Sequence, residues 1–335
     1  MNELKTRLIT KQKLPLVVEP SDPNITLKES LSLLHEHNEF FKSNLLNHGG
    51  LLFRNFPIHD VEGFSELVKA LDTGKFISYI GGDSPRNIVK DGIYTSTEAP
   101  PSVKIPLHNE LSFVNKYPSH IYFYCQVAPE KDGQTILGDA RQIFKAVDPN
   151  VRDKFVKRKL KYTSAYYNKS ALMDFVNKLQ PSHKSWHQVF ETDDKKEVER
   201  LCRENDFKLV WNKNDWLQIS QTRPAIMQHA VTGEDVWFNQ AHLYDFNPRL
   251  LGIWRYLAAK LFYIRPYTKL HEVAFADGSA IPLEDLYHIM DVLDQNTLYF
   301  PWQKGDVLVL DNVLSMHGRA TFHGKRRILT AMTGK

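Results

Sequence analysis

A chain of 335 residues, 42% hydrophobic and 12% aromatic, can bury a substantial core and is long enough for one large domain or two small ones. Its 43 basic and 39 acidic residues leave a net charge of +4, too small an excess to single out a nucleic acid or a membrane surface as a partner. Two cysteines, Cys125 and Cys202, far apart and without CxxC spacing, exclude a disulfide framework and a thiolate zinc site and suit a reducing cytoplasm.

The first residues, through Arg7, carry charges where a secretory leader needs an apolar run, and no apolar stretch downstream reaches membrane-spanning length. A soluble cytoplasmic protein is expected. Leu27 to Asn47 has helical spacing, with Leu31, Leu33, Leu34, Phe40 and Phe41 on one side, and His48-Gly49-Gly50 ends it. Gly50 to Phe56 fits a short buried strand, and Val61 to Leu71 a helix opened by Asp60 as its N-cap. Ile105 to Leu137 is rich in aromatic and β-branched residues, alternates over His120 to Cys125, and turns at Lys131-Asp132-Gly133, so it reads as sheet. Ile143 to Leu160 and Asp194 to Glu204 read as charged helices, and the basic run Lys154 to Lys161 as a solvated helix face. Val236 to Asn239 is a further strand, Leu250 to Tyr263 a helix, Asp306 to Asp311 a buried strand, and Arg326 to Met332 the last strand. No repeat or Pro/Gly-rich linker divides the chain, which therefore reads as one domain, 1–335, with a helical and loop insertion from about residue 140 to 300.

In Pro106-Leu107-His108-Asn109-Glu110 a histidine and a carboxylate stand two positions apart in a segment expected to be extended, so both point the same way. A second histidine, His317, follows the strand that ends at Asp311. Two imidazoles and one carboxylate can hold one face of an octahedral Fe(II) and leave three positions open. Alone, the spacing is unspecific, because a chain with 14 histidines and 39 acidic residues holds such pairs by chance. Further on, Arg326 and Arg327 lie on one strand, so one faces inward and the other outward; a buried guanidinium needs an anionic partner, and its fork suits a carboxylate.

These blocks together resemble the taurine dioxygenase and clavaminate synthase-like group of Fe(II)/2-oxoglutarate oxygenases. The similarity runs through Leu14 to Pro20, Gly50 to Phe56, Ser84-Pro85-Arg86, Tyr94 to Pro100, Leu107 to Glu110, Asp132-Gly133-Gln134-Thr135, Thr232 to Gln240, and Asp311-Asn312 through His317-Gly318-Arg319 to Leu329. The order and spacing of the blocks carry more than any one of them. The resemblance implies an α+β fold built on a double-stranded β-helix, a cupin-like jelly roll, with flanking helices and the insertion supplying a lid. It implies Fe(II) on His108, Glu110 and His317, O2 as oxidant, and 2-oxoglutarate held by Thr135 at the metal-proximal carboxylate and by Arg327 at the distal one. Halogenating relatives lack the carboxylate, so Glu110 favours hydroxylation, with succinate and carbon dioxide as co-products; desaturation or epoxidation uses the same site. Ala331 stands where some relatives place a sulfonate-binding arginine, which turns the expectation from taurine toward a free or carrier-tethered amino acid.

Ser96, Glu98, Asn239 and Arg319 are candidate substrate contacts, each with an ordinary structural role as the alternative. His187, His229 and His242 have no suitably spaced partner and are assigned no metal. Gly82 to Arg86 lacks the closing glycine of a nucleophile elbow, and Thr73-Gly74-Lys75 the upstream glycine of a phosphate loop. The rival readings are a non-catalytic ligand-binding jelly roll and a basic nucleic-acid module around Lys154 to Lys161; a homo-oligomer stays open.

Overall fold

The computed structural model describes residues 3–10, 12–71, 74–77, 86–170, 184–262 and 269–334, and the side chains of Arg255, Ala259 and Phe262 lie outside the description. Ser84 and Pro85 of the matched blocks, the elbow-like segment before Arg86, and Thr73 also fall outside the described residues.

A large mixed sheet runs in the order Leu4–Leu8, Leu16–Pro20, Gly50–Phe53, Val307–Asp311, His120–Val127, Arg327–Gly334, Ile93–Thr95 and Ile88–Lys90, with Lys75–Phe76 also pairing Arg327–Gly334. A second sheet orders Leu298–Tyr299, Thr135–Asp139, Ser315–Arg319 and Ile105–His108, all antiparallel. The sequence alternates accordingly. Leu137 joins Phe123, Cys125, Leu310, Ile328 and Met332 in one buried cluster, so these side chains fill the space between the sheets. Their strand neighbours Tyr122, Tyr124, Val309, Leu329 and Ala331 face the other way, against the helices Leu27–Glu36, Asn38–His48 and Val61–Ala70. Behind the smaller sheet, Leu107, Ile136 and Met316 pack on the helices Ala140–Ala146, Pro149–Arg158 and Leu283–Gln295.

Several expected elements end earlier than periodicity alone suggests. The helix expected over Leu27 to Asn47 breaks at His37, where Asn38 starts a new helix and donates to the Leu71 carbonyl at 2.8 Å. Gly252, at φ 78°, divides the helix expected from Leu250, and the one expected over Ile143 to Leu160 is two, separated at Val147 and Asp148. The Asp60 cap is present, accepting from the Gly63 amide at 2.8 Å. The insertion holds more than helices and loops: Lys208–Trp211, Leu217–Arg223, Leu160–Tyr166 and His271–Phe275 form a third antiparallel sheet. That correction has a local cause, since Leu160 to Ser164 alternates buried and half-buried residues, a period of two that the neighbouring charged helices mask. The basic run is largely paired, with Lys154 on Asp285 and Arg158 on Asp277. Among the described residues no helix is long and apolar enough to cross a membrane.

Candidate metal centre and its supports

His108 and His317 are direct cross-strand partners, so their side chains share one face of the smaller sheet, and their ring centroids lie 4.4 Å apart. Leu137, opposite His317 on the next strand, places that face toward the inter-sheet space. The strand Ile105–His108 ends at the first of these histidines. Glu110 therefore stands in the turn that follows, ahead of Leu111 at φ 54°, rather than on an extended segment, yet its carboxylate still reaches the histidines. Glu110 Oε2 is 3.5 Å from His317 Nε2, and the potential ligand atoms of all three residues lie within 4.8 Å of one another. Gly318 makes the close approach possible: a Cβ there would lie 2.8 Å from the Pro106 carbonyl oxygen.

The donor set suits a divalent cation. His108 Nδ1 lies 2.9 Å from the Pro106 carbonyl, which can only accept, so the proton belongs on Nδ1 and Nε2 keeps its lone pair for a metal. Burial, reinforced by the neighbouring His317 imidazole, pushes the His108 pKa down to about 3, and the ring is neutral at physiological pH. Burial opposes ionisation of Glu110, but the Arg86 guanidinium, 2.8 Å from Oε2, together with His317, holds the carboxyl well below the usual carboxylate range.

A set of carboxamides locks the ligand segment from behind. Gln240 Nε2 donates to the Asn109 carbonyl at 2.5 Å, and His242 Nε2 to the Leu107 carbonyl at 2.8 Å, so both peptide carbonyls flanking His108 are held. Asn312 accepts from the Glu110 amide at 2.7 Å and donates to the Glu110 carbonyl at 2.9 Å, while Asn109 donates to the carbonyls of Asn312 and Ser315. Each is a buried polar side chain hydrogen-bonded to backbone from another segment, which holds this stretch in place.

A cavity beside the triad is lined by Arg86, Ser96, Phe123, Thr135 and Arg326 among others. Thr135 shares its face with Leu137 and is buried. Of the two adjacent arginines, the structure places Arg326 in the cavity: Nε donates to the Gly133 carbonyl at 2.9 Å, and the guanidinium reaches Thr135 Oγ1 at 3.4 Å. Arg327 is exposed and lines only an outer groove. This corrects the expectation built on Arg327. The reason is parity, because Arg326 alternates in phase with Ile328 and Met332, which face between the sheets, and Arg327 with Leu329 and Ala331, which do not. Burial, with repulsion from Arg319, lowers the Arg326 pKa to about 10, and the side chain remains a cation at neutral pH.

The other candidates divide. Ser96 lines the cavity, whereas Glu98 is exposed on the outer groove and accepts from Asn87 at 2.9 Å. Asn239 is wholly buried with both ends of its amide committed, donating to the Ala225 carbonyl and accepting from the Ala241 amide, so it does not face the cavity. Arg319 lines the cavity, but its guanidinium is committed to backbone: it donates to the carbonyls of Thr97, Ala99, Pro100 and Val103 and clasps that loop. His187, His229 and His242 have protein partners, Asp193, Asp311 and the Leu107 carbonyl. Sequence reasoning singled out neither Arg86 nor Trp302, the latter bonded to Thr135; the only signal was that Arg86 closes a matched block.

The sequence profile of the taurine catabolism dioxygenase TauD, TfdA family matches residues 10–333. The chain belongs to this family, and is an Fe(II)- and 2-oxoglutarate-dependent oxygenase that uses O2. It is 31% identical over 315 residues to the dapdiamide synthesis protein DdaC of Enterobacter agglomerans, covering 92% of this chain and 91% of that one. A clavaminate synthase-like protein of Arabidopsis thaliana is 26% identical over 333 residues, covering 95% and 93%. Among solved structures, PvcB of Pseudomonas aeruginosa shares the fold with a TM-score of 0.56 at 13% identity, over 99% of this chain and 92% of that one.

Proposed function

We propose that this enzyme hydroxylates an unactivated C–H bond of an amino acid or amino-acid-derived small molecule, free or carrier-tethered, in the cytoplasm. The observation that carries the reading is the buried set of two imidazoles and one carboxylate, with ligand atoms within 4.8 Å of one another. In this reading the whole chain is one oxygenase domain, its two stacked sheets form the walls of a double-stranded β-helix, and part of the insertion covers the cavity mouth.

His108, Glu110 and His317 would hold Fe(II), which when bound supplies the oxidising power for inserting oxygen into C–H at the expense of 2-oxoglutarate. The chain's own contribution is placement. Thr135 and Arg326 would take the two carboxylates of 2-oxoglutarate, with the cation at the distal end, since a buried guanidinium gains most from an anion. Phe123, whose ring centroid is 5.1 Å from that of His317, shields the metal side of the cavity from water. The DdaC relative supports a substrate of amino-acid type. Taurine fits poorly: moving the clamp to Arg326 shifts the sulfonate position from Ala331 to Thr330, and neither offers a cation.

Anaerobic addition of 2-oxoglutarate to the Fe(II)-loaded protein, followed by a succinate-release screen of amino acids, tests this. A visible charge-transfer band and substrate-dependent succinate are expected; absence of both overturns the reading.

A further inference from the structure

The hydroxyl of Thr135 has two sites that accept hydrogen bonds and one hydrogen to donate. Two donors already point at its oxygen. The indole Nε1–H of Trp302 lies 3.2 Å away and the Arg326 guanidinium 3.4 Å away, and neither group can accept in return. Both acceptor sites are then filled by protein, and the hydroxyl hydrogen has to leave in a third direction. Among the described residues no hydrogen bond gives that hydrogen an acceptor, and Thr135 lines the cavity beside His108 and His317.

We infer that Trp302 is a positioning residue: with Arg326 it polarises the Thr135 hydroxyl so that Thr135 presents its hydrogen, not its lone pairs, to a carboxylate in the cavity. The inference rests on the reading of Thr135 as a 2-oxoglutarate contact. Polarity matters because an ionised carboxylate only accepts, and a freely rotating hydroxyl would spend part of its time offering a lone pair instead. Trp302 is itself held in place. It is buried between the sheets and packs edge-on against Phe300 at 4.9 Å, so its N–H is aimed by packing; phenylalanine there removes the N–H together with some ring volume, whereas a benzothienyl ring removes the N–H and keeps the bicyclic shape.

The test is 2-oxoglutarate affinity, measured calorimetrically on Mn(II)-loaded protein where no turnover occurs. Trp302→Phe should weaken binding about five-fold, the scale of one neutral hydrogen bond, and raise KM for 2-oxoglutarate by the same factor with kcat little changed. Thr135→Val should weaken it more, and in the Thr135→Val background Trp302→Phe should add nothing, because the hydroxyl it orients is gone. Should Trp302→Phe fold poorly, 3-benzothienylalanine placed at 302 keeps the bicyclic shape and removes only the N–H. Wild-type affinity in the Trp302 variants, or additive losses in the double variant, overturns the inference. Failure of the unaltered protein to bind 2-oxoglutarate at all instead overturns the reading on which it rests.

Discussion

His108 and His317 face each other across an antiparallel ladder, ring centroids 4.4 Å apart, although one lies before and one after the whole insertion. Two imidazoles at this separation repel when protonated and attract a shared cation when neutral. Replacing either with alanine is expected to weaken divalent-metal binding more than about 100-fold, beyond the effect of outer-shell partners, and to abolish succinate formation. Co(II) titration monitored by absorbance measures this; unchanged affinity removes that residue from the site.

Arg326 and Arg327 are expected to behave oppositely. Losing a charged hydrogen bond to a carboxylate costs about 1.5–3 kcal/mol, so Arg326→Ala should raise KM for 2-oxoglutarate about 10- to 100-fold. Arg327→Ala, on the exposed face, should change it less than about two-fold. Steady-state kinetics on the two variants decides between them, and the reverse outcome would restore Arg327 as the clamp.

Arg86 neutralises Glu110 in a pair whose side chains are only 5% and 4% exposed. Taking the cation away strands a buried carboxylate, and Arg86→Ala should lower the stability of the metal-free protein by about 3 kcal/mol. Because a divalent ion replaces the missing positive charge, adding Mn(II) should raise Tm more in the variant than in the unaltered protein. Equal metal-induced shifts would show that the pair is not the source of the loss.

Arg319 holds four backbone carbonyls between Thr97 and Val103. Arg319→Ala should cost about 2–4 kcal/mol and open the loop to protease, since no single donor can replace the fork. Limited proteolysis followed by mass spectrometry would locate the cuts; resistance equal to that of the unaltered protein would argue against the clasp.

Acid should destabilise the metal-free protein through His108. Below the ordinary histidine value of 6.5 the unfolded chain binds a proton that the folded chain refuses until about pH 3, so stability falls as pH drops through that window. The loss between pH 7 and pH 5 is about 2 kcal/mol from this one group. Glu110, whose folded carboxyl is held below its ordinary range, adds to the loss only at still lower pH. Urea midpoints across this range should fall with a slope that His108→Gln flattens.

Much of the site was legible because its determinants are local. The residue types of His108, Glu110 and His317 admitted a metal site, but their spacing alone was unspecific, and it was the order of the blocks around them that pointed to the family and with it to the metal chemistry. Glu110 shows the limit: two-residue alternation put it on a strand, whereas a left-handed turn at Leu111 delivers it to the same place by another route.

By itself the sequence determined which donor atoms are present, which segments alternate like strands, and that one of two adjacent arginines must turn inward. Only the tertiary structure decided which one, because the strand Arg327–Gly334 is buried on both faces and its alternation cannot say which face borders the cavity. It also decided that the side chains of Arg319 and Asn239 bond to backbone, while Arg86 reaches Glu110 and Trp302 reaches Thr135. A hydrogen bond's partner is chosen by whichever segment packs against it, and for Arg319 that segment lies up to 222 positions away along the chain.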